Sequence, residues 1–225
     1  MVAIDANRRP NRNIPGLRVE TAEERAVHSR AEEHKAMAAA WTRMHEETRA
    51  LPHLSAQEVE DPINRGKKEF LRPEETVIQV RRAFMPRHTN ILGTVFGGDV
   101  LLWMDRVATN CARRFTRNRN MITLSMNRIL FKEPIFTTDL VEMVARVVYV
   151  RQFTLEVEIA VTLRRLDGRV VPSHSGYFTV LNYDDTGFKH PIVTGLRLRD
   201  DDPANLLRYL QARRRYEFWK EHRRE

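Results

Sequence analysis

The sequence predicts an α+β domain over residues 76–190, in which one long helix is wrapped by a curled antiparallel sheet. Three observations predict it. Residues 99–116 read as a helix whose first half is apolar nearly all round, through Val100, Leu101, Leu102, Trp103, Met104, Val107 and Ala108. Such a helix has to be buried on most sides. Four strand patterns follow, the clearest over residues 153–166, where Phe153, Leu155, Val157, Ile159, Val161 and Leu163 alternate with polar or small residues, as in a half-buried antiparallel strand. The connections between these strands are short, which makes sequential neighbours antiparallel.

Residues 1–18 carry Asn, Pro and Arg without periodicity and read as an extended arm. Residues 21–50 read as a helix: Thr21 and Glu24 have capping-box spacing, and Ala36, Ala40, Met44 and Glu47 fall on one thin face. Residues 51–73 hold prolines and charges and read as a linker. Residues 76–84 alternate with Ile78, Val80 and Phe84 on one side, and residues 85–98, with Pro86, Gly93, Gly97 and Gly98, form a shaped loop before the helix. Arg113 and Arg114 close that helix, where cations suit the dipole. The remaining strands are 121–131, 139–152 (Val141, Met143, Ala145 and Val147 on one face) and 170–183, the last entered through the turn Asp167-Gly168. A final helix spans 204–224 after Pro203, with Leu206, Leu207 and Leu210 inward. Arg213, Arg214, Arg215, Lys220, Arg223 and Arg224 are expected outward, interleaved with Tyr209, Tyr216 and Trp219. The chain thus divides into an N-terminal extension (1–75), the domain (76–190) and a basic helical tail (191–225).

Composition bounds the function. The 225 residues are 42% hydrophobic and 30% charged, the balance of a globular chain. No apolar run approaches the ~20 residues of a membrane span. The one cysteine, Cys111, sits in an apolar helix with nothing beside it to activate the thiol, and no His/Cys spacing suggests a metal. The net charge is +8, and residues 76–196 hold 16 basic against 10 acidic side chains, a surface suited to a polyanion. The N-terminus lacks the apolar core of a secretory signal; Arg8, Arg9, Arg12 and Arg18 against Asp5 alone hint at a mitochondrial location, with cytoplasm the other expectation.

Chemistry concentrates between Asn90 and Asp105. Gly97-Gly98 directly precede the long helix, where glycine allows close approach of a ligand and the first helical amides lack intrahelical acceptors. They form a donor cluster with positive dipole character, suited to an anion or a developing oxyanion. Asp105, two turns in, shares a face with Leu101, Leu102, Ala108 and Thr109. A carboxylate there is partly desolvated and calls for a raised pKa or a dedicated partner. Such a group beside an oxyanion donor can activate water or attack a carbonyl.

One strand, a long buried helix and a four-stranded meander is the order of the hotdog fold. The segment Asn90-x-x-Gly93-x-x-Phe96-Gly97-Gly98-x-x-Leu101-x-x-x-Asp105 resembles the signature of hotdog acyl-CoA thioesterases, and residues 123–135 resemble that family's second strand and following loop. The mitochondrial branch is most similar, although it carries two hotdogs per chain and this chain shows one. The resemblance implies hydrolysis of acyl-CoA, with coenzyme A present only as part of the substrate and no metal or other cofactor. It implies that Asn90 positions the thioester or the attacking water, that Gly97 and Gly98 bind the carbonyl, and that Asp105 is general base or nucleophile. These groups would come from two facing hotdogs, so a homodimer or pairing with a related hotdog is expected. Arg128 and Lys132 are candidates for holding coenzyme A phosphates, and His88 stands where many relatives carry an acid.

Two other readings are open at this point. The basic tail suits a non-catalytic structural subunit of a large ribonucleoprotein such as a mitochondrial ribosome, contacting RNA. A non-catalytic acyl-CoA sensor would bind without turnover.

Overall fold

The computed structural model describes residues 14–51 and 53–222, so the arginines at 8, 9, 12, 223 and 224 lie outside the described residues. Its elements are α1 (Ala22–Arg49), α2 (Ala56–Val59), α3 (Pro62–Arg65), β1 (Glu69–Leu71), β2 (Ile78–Ala83), α4 (Gly97–Thr116), β3 (Met121–Phe131), β4 (Leu140–Val150), β5 (Thr154–Arg164), β6 (Val170–Asn182), β7 (Thr194–Leu196) and α5 (Pro203–His222). Contacts separate a unit ending at Glu47 from one beginning at Thr48. In the first unit, α1 opens on a formed capping box. The Thr21 amide donates to Glu24 Oε2 at 2.9 Å and the Glu24 amide donates to Thr21 Oγ1 at 3.1 Å, which satisfies two amides that the helix leaves without partners. Among the described residues no helix is long and apolar enough to cross a membrane.

In the second unit the five-stranded sheet has the order β2-β4-β5-β6-β3, antiparallel throughout. α4 packs against β3, β4, β5 and β6, so the sheet curls about it. The helix contributes Val100, Met104, Val107, Ala108, Cys111 and Phe115 to the core, and the facing strands contribute Val141, Met143, Leu155, Val157, Ile159, Phe178 and Val180. Each fully buried side chain of this size contributes roughly 1.5–3 kcal/mol. α4 is not covered all round: Leu102 is 50% exposed. Gly176 on β6 shows how closely the layers approach. A Cβ there would stand 2.3 Å from Ile129 Cδ1 and 3.4 Å from Met104 Cε.

Two expectations are corrected. The stretch 51–73, read as a linker, contains α2, α3 and β1. Asn64 in α3 is buried, and its side-chain amide donates to the Leu196 carbonyl and accepts from the Leu196 amide, both at 2.8 Å. This fixes the place where β1 pairs in parallel with β7. The second correction concerns α5, which lies on the outer face of the sheet. Arg215 does not face solvent: it is 1% exposed, its guanidinium donates to Glu156 on β5 and it stacks over Tyr177, 3.5 Å from the ring centroid. Arg208 reaches Glu158 on the same strand at 3.2 Å. Glu156 and Glu158 occupy the outward positions that alternate with Leu155, Val157 and Ile159, and the basic face of α5 answers them. Those cations are spent within the chain, which removes part of the basic surface expected to contact RNA.

Candidate active site

The loop leading into α4 is organised by its own side chains. Asn90 Oδ1 accepts from the Leu92 and Thr94 amides at 2.8 and 3.3 Å, and Nδ2 donates to Thr94 Oγ1 at 3.0 Å. The Gly93 amide donates to the Asn90 carbonyl at 3.0 Å in a turn where Gly93 has a φ of 75°, a conformation glycine takes without steric cost. The Val95 amide donates to Ile135 and the Phe96 amide to His88, both at 2.8 Å, so the loop is tied at its exit.

α4 then starts without a side-chain cap, because its N-cap is Phe96. The Phe96 carbonyl accepts from Asp99 and Val100 at 3.0 and 3.3 Å, whereas the Gly97 and Gly98 amides have no acceptor among the described residues. Two unclaimed donors thus stand at the positive end of a 20-residue helix. Phe131, at the end of β3, walls this place: a Cβ on Gly97 would meet its ring at 3.6 Å. Behind Phe131 lies the buried His174, edge-on with ring centroids 4.7 Å apart.

Asp105 is half-buried, and its Oδ1 is shut from solvent without a hydrogen-bond partner. The dedicated partner expected for that oxygen is absent among the described residues. At ~1.5 Å of rise per residue, Asp105 stands about 10 Å along the helix from Gly98. Asn90 thus closes the turn over residues 90–94 that leads towards Gly97 and Gly98, and Asp105 lies two turns further along α4.

Arg128 has a φ of 48° at the irregular point of β3 between Asn127 and Leu130, and its charge bears on the phenol of Tyr177 on the outer face. Lys132 is exposed immediately after Phe131, so it stands beside the aromatic wall. His88 is held in the loop framework: its Nδ1 accepts from the Met85 amide at 3.0 Å, and its ring meets Phe84 edge-on at 5.6 Å. Among the described residues, no group of three or more His, Cys, Asp or Glu could hold a metal ion.

The family model of the thioesterase superfamily matches residues 92–170. The Bacillus subtilis protein YkhA, named an uncharacterized acyl-CoA thioester hydrolase, is 30% identical over 120 residues, which are 53% of this chain and 69% of YkhA. This chain belongs to the hotdog acyl-CoA thioesterase family. VdlD of Helicobacter pylori is 28% identical over 109 residues, 48% of this chain, and the match spans only 62% of VdlD. An apo-hexameric acyl-CoA thioesterase superposes with a TM-score of 0.62 at 25% identity, covering 68% of this chain and 97% of its own. An acyl-CoA hydrolase from Staphylococcus aureus shares the fold, with a TM-score of 0.60 at 24% identity over 68% of this chain and 92% of its own.

Two further features of this hotdog chain bear on its site. Thr123 on β3 has a buried Oγ1 without a hydrogen-bond partner, the same condition as Asp105 Oδ1, and β3 packs against α4. A lone threonine in a strand carries no motif: Thr123 shares its face of β3 with Met121, Ser125 and Asn127, while Ile122, Leu124 and Met126 at the alternate positions are exposed. Cys111 is an inert core residue: burial pushes its thiol up to about 12, and Sγ donates to the Thr76 carbonyl at 3.4 Å.

Proposed function

We propose that this chain hydrolyses acyl-CoA thioesters, releasing the free acid and coenzyme A. The observation that carries the reading is the pair of unclaimed amides at Gly97 and Gly98 at the start of α4, with Phe131 beside Gly97 and the Phe96 ring against Gly98. A thioester carbonyl oxygen would accept from them, and the bonds strengthen as negative charge develops on it. One such donor is worth roughly 2.7–4 kcal/mol in known hydrolases. Asp105 takes a proton from water, whose oxygen bonds to the carbonyl carbon, or its carboxylate attacks that carbon to give an anhydride that water hydrolyses after the thiol has left. The carbon–sulfur bond breaks, and the departing thiolate takes up a proton. Asn90 has a second Nδ2 hydrogen beyond the one given to Thr94, which can hold the water or the thioester. Lys132 stands where it can meet a coenzyme A phosphate; Arg128, on the outer face, is less well placed for it. The reaction drawn in this way uses water and these side chains, with coenzyme A entering only as substrate.

Because Asp105 lies about 10 Å along α4 from Gly98, the active unit has at least two copies, with Asp105 of one completing the site of the other. The edge strand β3 supports this, since Ile122, Leu124 and Met126 on it are exposed, as is Leu102 on α4. An unpaired apolar edge of this kind needs a partner. The hexameric neighbour makes larger assemblies of such pairs a natural extension. We also propose a mitochondrial location, on the arginines between Arg8 and Arg18; subcellular fractionation of the tagged full chain tests it.

The test of function is hydrolysis of a panel of acyl-CoA esters by the purified chain beside an Asp105→Asn variant. Turnover that is lost in the variant supports the reading. A folded dimer that leaves every ester intact would remove it.

A further inference from the structure

The far end of α4 carries a charge cluster that the hydrolytic reading does not use. Arg113, Arg114, Arg117 and Arg119 fall within seven residues, and all four are exposed. Arg208 and Arg215 of α5 are paired with Glu158 and Glu156. Arg113, Arg114 and Arg117, by contrast, have no carboxylate partner among the described residues. Arg119 alone reaches one, Asp185 at 3.3 Å, where both side chains are more than three-quarters exposed and the pair contributes little. Arg117 is the C-cap of α4 with a φ of 54°, the left-handed position that helices commonly give to glycine. An arginine there is a charge kept against the preference of the backbone.

The turn over residues 184–188 lies against this cluster. Arg113 Nε donates to the Arg119 carbonyl at 2.9 Å, and Arg119 and Asn120 both donate to Asp185, at 3.3 and 2.7 Å. Asp184 is occupied within the turn, where its Oδ1 accepts from the Thr186 and Phe188 amides at 2.9 and 3.0 Å. Arg117, Asp185 and His190 line one cavity, so helix end and turn form a continuous surface. The turn presents Phe188, 74% exposed, followed by the exposed Lys189. Four arginines and Lys189 against Asp184 and Asp185 leave an excess of three cations. Guanidinium forks on successive turns suit a row of phosphates, and an exposed ring beside them suits an unstacked base. A bilayer would need a broad apolar face, and an acidic peptide would leave the ring unused.

We propose that this end of the domain binds the backbone of a single-stranded nucleic acid, with Phe188 stacked on a base. The surface lies about 30 Å from Gly97, at the opposite end of the 20-residue helix, and the inference does not depend on the catalytic reading. The probes are labelled oligouridylate and oligothymidylate of about 12 nucleotides, followed by fluorescence anisotropy with the full chain, with Arg114→Gln/Arg117→Gly and with Phe188→Ala. Glycine suits the φ at 117, so the double variant should keep its fold, as thermal unfolding checks. Four phosphate contacts give log K a slope against log salt of about −2.8, and the loss of two brings it to about −1.4. At low salt the double variant should bind about tenfold or more weakly. Phe188→Ala should weaken binding about fivefold or more with the slope unchanged. Tighter binding of oligouridylate makes the ligand RNA and of oligothymidylate DNA, and either supports the proposal. Absence of binding at low salt, or displacement by excess free coenzyme A, would overturn it. So would equal binding of polyglutamate or of phosphatidylglycerol vesicles, or binding that both variants retain and Lys220→Glu loses.

Discussion

The Arg215 guanidinium donates through both Nε and Nη2 to one carboxylate oxygen of Glu156, and both side chains are less than one-tenth exposed. Removing one partner leaves the other charge buried alone. Arg215→Met should therefore destabilise the chain by about 3–5 kcal/mol, whereas the double variant Arg215→Met with Glu156→Leu should recover much of that loss. Urea unfolding of the three chains measures the difference. A single variant as stable as the parent would mean that water reaches Glu156.

Gly176 leaves room for the Ile129 side chain of the neighbouring strand β3, with Met104 of α4 in ordinary contact. Gly176→Ala places a methyl against Ile129 Cδ1, so it should cost about 1–3 kcal/mol by overpacking. Ile129→Val removes that Cδ1, and the pair should be more stable than Gly176→Ala alone. Thermal unfolding of both variants reads this compensation directly.

If one copy supplies the amides and Asn90 while another supplies Asp105, inactive chains should complement one another. Asn90→Ala and Asp105→Asn, each nearly inactive alone, should recover about a quarter of parental turnover when unfolded together and refolded in equal amounts. Half of random pairs would be mixed, each with one intact site. Mixtures that stay inactive would place all four residues in one copy's site, contrary to the axial separation along α4.

His174 gives the stability a pH dependence. Burial pushes its imidazole down from 6.5 to about 4, so the folded chain holds the ring neutral where the unfolded chain binds a proton. The unfolded state carries more protons between these values, and stability rises with pH through that window. The contribution is complete above about pH 6.5 and is lost progressively as the pH falls towards 4. It amounts to about 3 kcal/mol in all. Urea midpoints at pH 7 and 4.5 should converge more closely for His174→Gln than for the parent.

The helix and the meander were legible because their signals repeat. β3 begins and ends at the residues the pattern chose, and the alternation from Leu155 to Leu163 is the buried face of β5. The stretch 51–73 was not legible, since elements of three or four residues are too short to show a period. What orders them is a long-range bond from Asn64 to Leu196. Arg215 was misplaced for a related reason. A run of arginines late in a helix reads as a solvated face, and its acceptor, Glu156, is 59 residues away. In the site, glycines before a helix pointed to the open amides. The unpartnered Thr123 hydroxyl had no spacing to announce it, and the turn that Asn90 builds for itself depends on Thr94, which the motif does not include.

β3 is paired to β6 with two breaks of register, between Thr123 and Ser125 and between Asn127 and Leu130. A sheet edge interrupted twice cannot zip indiscriminately onto any extended peptide, because bulges bend the strand and interrupt its ladder. A freshly synthesised copy waiting for its counterpart therefore carries its own protection against fibril growth: the margin it exposes is apolar enough to be recognised, yet too irregular to template an endless ribbon.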